Sequence, residues 1–231
     1  MSCLAQPVAQ PPFERRDMLM MHNMFRREFA LMPGLVGAVI AGEYDRAQMI
    51  GDHIHAVIAV LHGHHSHEDE DIWPLLLDRC TRAAGLVGLM HGQHHQVATL
   101  LHRVEEALSL WRDAVTVESR QALAEVVDRL IPALTEHLGA EEDRVVPLME
   151  QYITVAEWHP PMGSELAADP AQFPLTIGLL MYEGDPESID QLIAAMPADA
   201  RPGIRQLAAK TFAAHSRLVY GTATPPRSTD L

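Results

Sequence analysis

One phrase occurs twice in this chain, and it limits what the chain can fold into more than any other feature. His64-His65-Ser66-His67-Glu68-Asp69-Glu70-Asp71-Ile72-Trp73-Pro74-Leu75-Leu76 and His137-Leu138-Gly139-Ala140-Glu141-Glu142-Asp143-Arg144-Val145-Val146-Pro147-Leu148-Met149 align residue by residue. Each reads His, three residues, Glu, two acidic residues, three residues, then Pro-Leu and an aliphatic or Met side chain. A spacing of four on a helix puts His and Glu on one face, one turn apart. A single pair of this kind is an ordinary helical ion pair. Two copies of the whole phrase predict two helices that aim the same polar pair at one interior.

The periodicity around the two phrases is helical throughout. Met18, Met21, Met24, Phe25, Phe29 and Met32 predict a first helix over 14–32, bent or ended at Pro33-Gly34, with a short helix over 35–41 after it. Asp45 is placed to cap a second helix that runs through Ile50, Ile54, Ile58 and Leu61 towards Pro74. A third is expected over 89–111 and a fourth from about 116 to 142, with Pro132 predicting a kink. No alternating strand of useful length is present. From about residue 153 prolines punctuate shorter segments, predicting helices near 154–158, 171–183, 185–195 and 203–220 and turns at Pro160-Pro161-Met162-Gly163 and Tyr182-Glu183-Gly184-Asp185-Pro186. The expected fold is all-α: a four-helix up-down bundle over 13–152, a loose arm over 1–12, and a C-terminal extension of short helices over 153–231 that packs on the bundle, its end frayed from Pro225.

Between the two phrases lies His91-Gly92-Gln93-His94-His95, whose His91 and His95 share the same i,i+4 geometry, and His22 sits on the first helix. Together the four helices offer five imidazoles (His22, His64, His91, His95, His137) and two carboxylates (Glu68, Glu141). Imidazole and carboxylate suit iron, manganese or zinc rather than copper(I). Two bridging Glu, five His and one solvent bridge would fill roughly eleven of the twelve positions of an octahedral pair, leaving one open. Register rivals are His65 with Asp69 in the first phrase and Glu142 in the second. The remaining acidic residues of both runs are expected to be solvated or to orient histidine N–H groups. The 12 methionines read as adaptable packing.

This pattern resembles the hemerythrin-like (HHE cation-binding) family, and the phrase Met21-His22-Asn23-Met24-Phe25-Arg26-Arg27-Glu28 resembles its opening helix. The resemblance covers about residues 13–152. It implies a non-haem di-iron centre, oxo- or hydroxo-bridged, with zinc or manganese as substitutes. Carried over, His91, His95 and His137 would hold one iron, His22 and His64 the other, which keeps the open position, and Glu68 and Glu141 would bridge. The oxygen carriers of the family place the bridge five residues after the histidine, which here is Glu142. Bacterial members commonly use the fourth, and Glu141 matches Glu68 in the repeat. Similar tails accompany actinobacterial members, so the resemblance implies that the extension is a family feature.

The resemblance implies binding of dioxygen or nitric oxide. The alternatives are an enzyme that decomposes peroxide or reduces nitric oxide, and an iron-handling protein or redox sensor. Zinc-protease, ferritin-like Glu-x-x-His and Gly-x-Ser-x-Gly patterns are absent. With 17 Lys+Arg against 31 Asp+Glu the net charge is −14, which argues against nucleic-acid partners and anionic membrane surfaces. Only Cys3 and Cys80 are present, so no zinc ribbon or iron–sulfur cluster is expected. No signal pattern stands at the N-terminus, and a cytoplasmic location is expected.

Overall fold

The computed structural model describes residues 11–159 and 172–231. Four long helices follow one another: α1 (Arg15–Gly37), α2 (Tyr44–His67), then after a π-helical turn (Glu68–Ile72), α3 (Trp73–Arg79) and a 3₁₀ turn (Thr81–Ala83), α4 (Ala84–Asp113) and α5 (Val117–Arg144). Short helices α6 (Val146–Tyr152) and α7 (Val155–Trp158) close the bundle. The extension supplies α8 (Phe173–Glu183), α9 (Pro186–Ala195) and α10 (Ile204–Tyr220). Among the described residues, the only strand-type pairing is an isolated bridge between Pro12 and Thr154. No described helix is long and apolar enough to cross a membrane.

Each long helix carries its core on alternating steps of three and four. In α4 the buried stripe is Val87, Met90, His94, Val97, Leu101, Val104, Leu108 and Trp111. In α5 it is Leu123, Val127, Leu130, Leu134, His137 and Glu141, with Leu138 beside it. Such stripes hold helices nearly antiparallel in a bundle. Packing runs in a ring, α1 on α2, α2 on α4, α4 on α5 and α5 on α1. Side chains such as Phe25, Ile54, Leu101 and Leu130 are fully buried, each contributing about 1.5–3 kcal/mol.

Several boundaries differ from the sequence reading. α1 runs through Pro33 to Gly37 without a separate helix after it. Asp45 lies in the first turn of α2, whose N-cap is Glu43. The helix carrying the first repeat continues beyond Pro74, because that proline sits in the first turn of α3, where its missing N–H costs little. The π turn precedes it. α4 begins at Ala84, five residues earlier than expected, and takes in Gly85 and Gly88. α5 is continuous through Pro132, and Thr116 caps it through a reciprocal box with Ser119. The arm is tied down from Pro11, whose carbonyl accepts from Val155 N–H, and Phe13 N–H donates to Ile153. The C-terminus is not frayed: Tyr182 Oη donates to the Pro225 carbonyl and Ser228 Oγ to Glu183. Residues 1–10 of the expected arm and the Pro160–Gly163 turn lie outside the described residues.

The buried apolar side chains form two clusters. One includes Phe25, Phe29, Ile54, Leu61, Val97, Leu134 and Leu138 and extends into the C-terminal helices. The other includes Phe13, Met18, Ile72, Trp73, Met90, Val145 and Trp158. Along every bundle helix the crossing from one cluster to the other falls at the same level. Met18 and Phe25 flank His22, Leu61 and Ile72 flank His64 to Glu68, Met90 and Val97 flank His94, and Leu134 and Val145 flank His137 and Glu141.

Candidate metal centre

That level is a polar layer between two apolar cores. His22, His64, His65, Glu68, His94, His137 and Glu141 are all buried in it. Two groups of donors, His22–His64–Glu68–Glu141 and His65–His94–His137, each bring ligand atoms within 4.8 Å of one another. The two carboxylates join the groups. Glu68 Oε1 lies 3.3 Å from His64 Nε2 and its Oε2 3.5 Å from His94 Nε2. Glu141 Oε2 lies 3.4 Å from His22 Nε2 and 3.7 Å from His137 Nε2. The rings pack on one another as well: His65 stacks on His94 at 4.1 Å between centroids and meets His137 edge-on at 4.9 Å.

The structure brings together five of the seven residues expected from the sequence: His22, His64, Glu68, His137 and Glu141. It places His91 and His95 on the solvent side of α4, and the expectation that they share the interior is corrected. The buried stripe of α4 steps from Met90 to His94 to Val97. His91 is one residue out of that register and His95 follows it at i+4, so both face outward together. His94 carries the signal that finds it, as the one histidine of α4 on its apolar 3–4 repeat. His65 enters because the buried face of α2 is two residues wide here, taking both members of the His64-His65 pair. The helix then widens into the π turn that holds Glu68, a deviation that recurs at functional sites.

Acidic neighbours fix the histidine tautomers. A carboxylate only accepts, so His22 Nδ1–H donates to Glu142 Oε1 (2.8 Å), which also accepts from Arg26 (2.7 Å). His94 Nδ1–H donates to Asp69 Oδ1 (2.8 Å). Both rings therefore turn Nε2 towards the centre. Glu142 and Asp69, rivals for the ligand role in the sequence, instead stand behind ligand-type histidines.

By the chain's own groups the layer is electrostatically costly. Burial raises the Glu68 carboxyl well above its usual range, and the Glu141 charge adds to it. Burial would raise Glu141 too, but the adjacent His22 ring together with His137 and Glu68 outweighs burial and holds Glu141 at about 2. Burial lowers His64 and His65, and lowers His137 to about 4, so these imidazoles are neutral at pH 7 and their lone pairs are available. Burial would lower His22, but the adjacent Glu141 and Glu142 carboxylates together outweigh it and His22 is raised. Both oxygens of Glu68 and of Glu141, and Nε2 of His65, His94 and His137, are buried without a hydrogen-bond partner. Orphaned atoms on two carboxylates and three histidines, at one level of one bundle, fit a bound cation: it would satisfy them and offset the carboxylate charge.

The comparisons with known proteins agree with this geometry. The family model of the Hemerythrin HHE cation binding domain matches residues 15–149. The chain belongs to the hemerythrin HHE family. The matched span opens at the first residue of α1 and closes within α6, so it contains every residue of the polar layer and none of α8 to α10. No curated protein and no solved structure matches the chain significantly. As an HHE domain it binds metal cations, and the His/Glu layer is where the residues to hold them lie.

Proposed function

We propose that this hemerythrin HHE protein carries a non-haem di-iron centre that binds dioxygen or nitric oxide. The observation behind this reading is that each buried carboxylate stands between one histidine of each donor group. His22 and His64 would hold one ion, His65, His94 and His137 the other, with Glu68 and Glu141 shared. His65 and His94 thus take the places that the family resemblance assigned to His91 and His95. Imidazole and carboxylate donors match iron, with zinc or manganese as substitutes. An iron pair would supply reversible electron transfer to a diatomic ligand.

The chain's own contribution is a dry, preorganised pocket. Two histidines serve the first group and three the second, so the first leaves more room for an added ligand. Phe25 and Trp158 stand over His64, with ring centroids at 5.4 and 6.1 Å, and exclude water from that side. Trp73 backs His94 on the other. Glu142, Arg26 and Asp69 keep His22 and His94 from rotating, which lowers the cost of organising the site when it fills.

Metal analysis of the purified protein, combined with an anaerobic oxygen titration followed in the visible spectrum, tests the reading. A spectrum that changes reversibly with oxygen, at two irons per chain, is the expected result. A spectrum indifferent to oxygen and to nitric oxide would overturn it. Steady-state consumption of peroxide or nitric oxide, far above one turnover per centre, would replace it with the enzymatic reading.

A further inference from the structure

Every donor of the polar layer is buried, so an added ligand reaches it only when a covering side chain moves aside. Phe25 and Trp158 pack on His64, and Trp73 packs on His94. Phe25 stands in the middle of α1, Trp73 follows directly on the π turn, and both are fully buried. Moving either would disrupt a helix of the bundle. Trp158 is placed differently. It is the last residue of α7, a helix of four residues, and lies beyond the HHE match, which ends at residue 149. Its ring meets His64 edge-on at 6.1 Å and Phe13 at 5.2 Å, and 6% of the residue is exposed. The segment is held firmly at its base. Thr154 caps α7 through a reciprocal box with Glu157, Glu157 accepts from Arg79 at 2.5 and 2.9 Å, and Val155 N–H donates to the Pro11 carbonyl. At its tip two hydrogen bonds from side chains hold it: His67 Nε2–H donates to the Trp158 carbonyl at 3.2 Å, and His159 Nε2–H to Asp17 Oδ2 at 3.1 Å. The second oxygen of Asp17 is buried without a partner. Opening the tip would let water reach that oxygen, which offsets the lost His159 bond, so the tip costs little to release.

We propose that Trp158 is a hinged cover over the His22–His64 side of the centre, fixed at Thr154–Glu157 and latched at Asp17–His159, whose tip swings away from His64 to admit the exogenous ligand. The cover sets how fast a ligand enters and leaves. Its control of access rests on the buried layer being a metal centre that takes an added ligand; the hinge and latch stand by themselves. The control comes from α7, a segment outside the HHE domain.

The test uses the full-length chain in two states. In the metal-free protein, hydrogen exchange of the peptide spanning residues 153–159 is followed by mass spectrometry. Asp17→Ala removes the latch and should speed that exchange several-fold; unchanged exchange overturns the hinge, whatever the metal does. In the iron-loaded, oxidised protein, azide binding and release are followed by stopped-flow visible absorbance. Asp17→Ala should raise both rates several-fold with Trp158 still in place, and Trp158→Ala should raise them further. Association and release should rise together and leave the azide affinity nearly unchanged, because the cover contributes no ligand. Trp111→Phe, at the far end of α4, should equal wild type. Should Trp158→Ala lose iron, Asp17→Ala carries the test alone. Azide rates equal to wild type in the iron-loaded variants overturn the cover and leave the metal centre standing. A wild type that holds no iron, or whose iron takes no azide, overturns the metal reading and with it the control of access.

Discussion

Two clusters of buried charge lie within a few turns of each other on α1, and they are built on opposite principles. Around His22 the polar layer leaves both Glu68 oxygens, both Glu141 oxygens and three histidine nitrogens without partners. Among the described residues, the buried polar side-chain atoms of Arg27, Glu28, His53 and Tyr220 all have partners. Arg27 donates to Glu28 (2.5 and 2.8 Å), to Glu183 (2.8 Å) and to the Leu179 carbonyl, and its guanidinium lies over the Tyr182 ring. Glu28 also meets His53 Nε2 at 2.9 Å and accepts from Tyr220, while His53 Nδ1 meets His215 Nε2 at 3.0 Å. This second network draws residues from α1, α2, α8 and α10, joining the extension to the bundle. The comparison teaches how to separate a structural polar cluster from a ligand site. Both are buried and charged, but one satisfies itself and the other needs a cation to do so.

The largest test is to remove a shared carboxylate. Glu68→Ala or Glu141→Ala should empty the centre, lowering metal affinity by more than the roughly 100-fold upper range of outer-partner changes, read by metal analysis. The loaded protein should lose its metal-dependent stability, while the chelated protein should lose little, because an uncompensated buried carboxylate has gone. Equal metal content in these variants and wild type would break the distinction between the clusters. Arg27→Met should act the other way. It leaves Glu28 and Glu183 buried without their cation, at about 3–5 kcal/mol in denaturant unfolding, with metal content intact in the folded protein.

Smaller effects sharpen the picture. Glu142→Ala and Asp69→Ala should each weaken metal binding by about 10–100-fold, through freed His22 and His94 rings rather than lost ligands. Acid should loosen both clusters. In the polar layer protons compete with metal at His22 and Glu68, both held above their usual values, so affinity should fall as pH drops. In the second network burial, then His53, pushes His215 down from 6.5 to about 4. The unfolded chain takes up that proton first, so stability is complete above 6.5 and is lost as pH falls towards 4. Burial alone would raise Glu28, but His53 and Arg27 hold it at about 2, so its contribution is complete above 4.5 and is lost as pH falls from 4.5 towards 2. Unfolding measured from pH 8 to 3 should show both losses. Least of all, His91→Ala alone should change stability by no more than about 0.5 kcal/mol.

Much of this molecule was readable in the chain itself. The repeated phrase and the apolar periodicity determine four helices and the level at which His64, Glu68, His137 and Glu141 meet. The His94 position was readable too, since Met90, His94 and Val97 keep the three–four step that His91 and His95 break; i,i+4 spacing states which residues share a face, but not which way the face points. Only the tertiary structure decided the rest. The buried face of α2 is wide enough for both His64 and His65 because helices pack against it on two sides and it opens into a π turn, and no local pattern encodes that width. α1 is buried on a second face because α8 and α9 lie on it, which turns Arg27 and Glu28 from a plausible surface pair into an interior one. Local spacing determines what a helix can present; what becomes of each face depends on the partners that cover it.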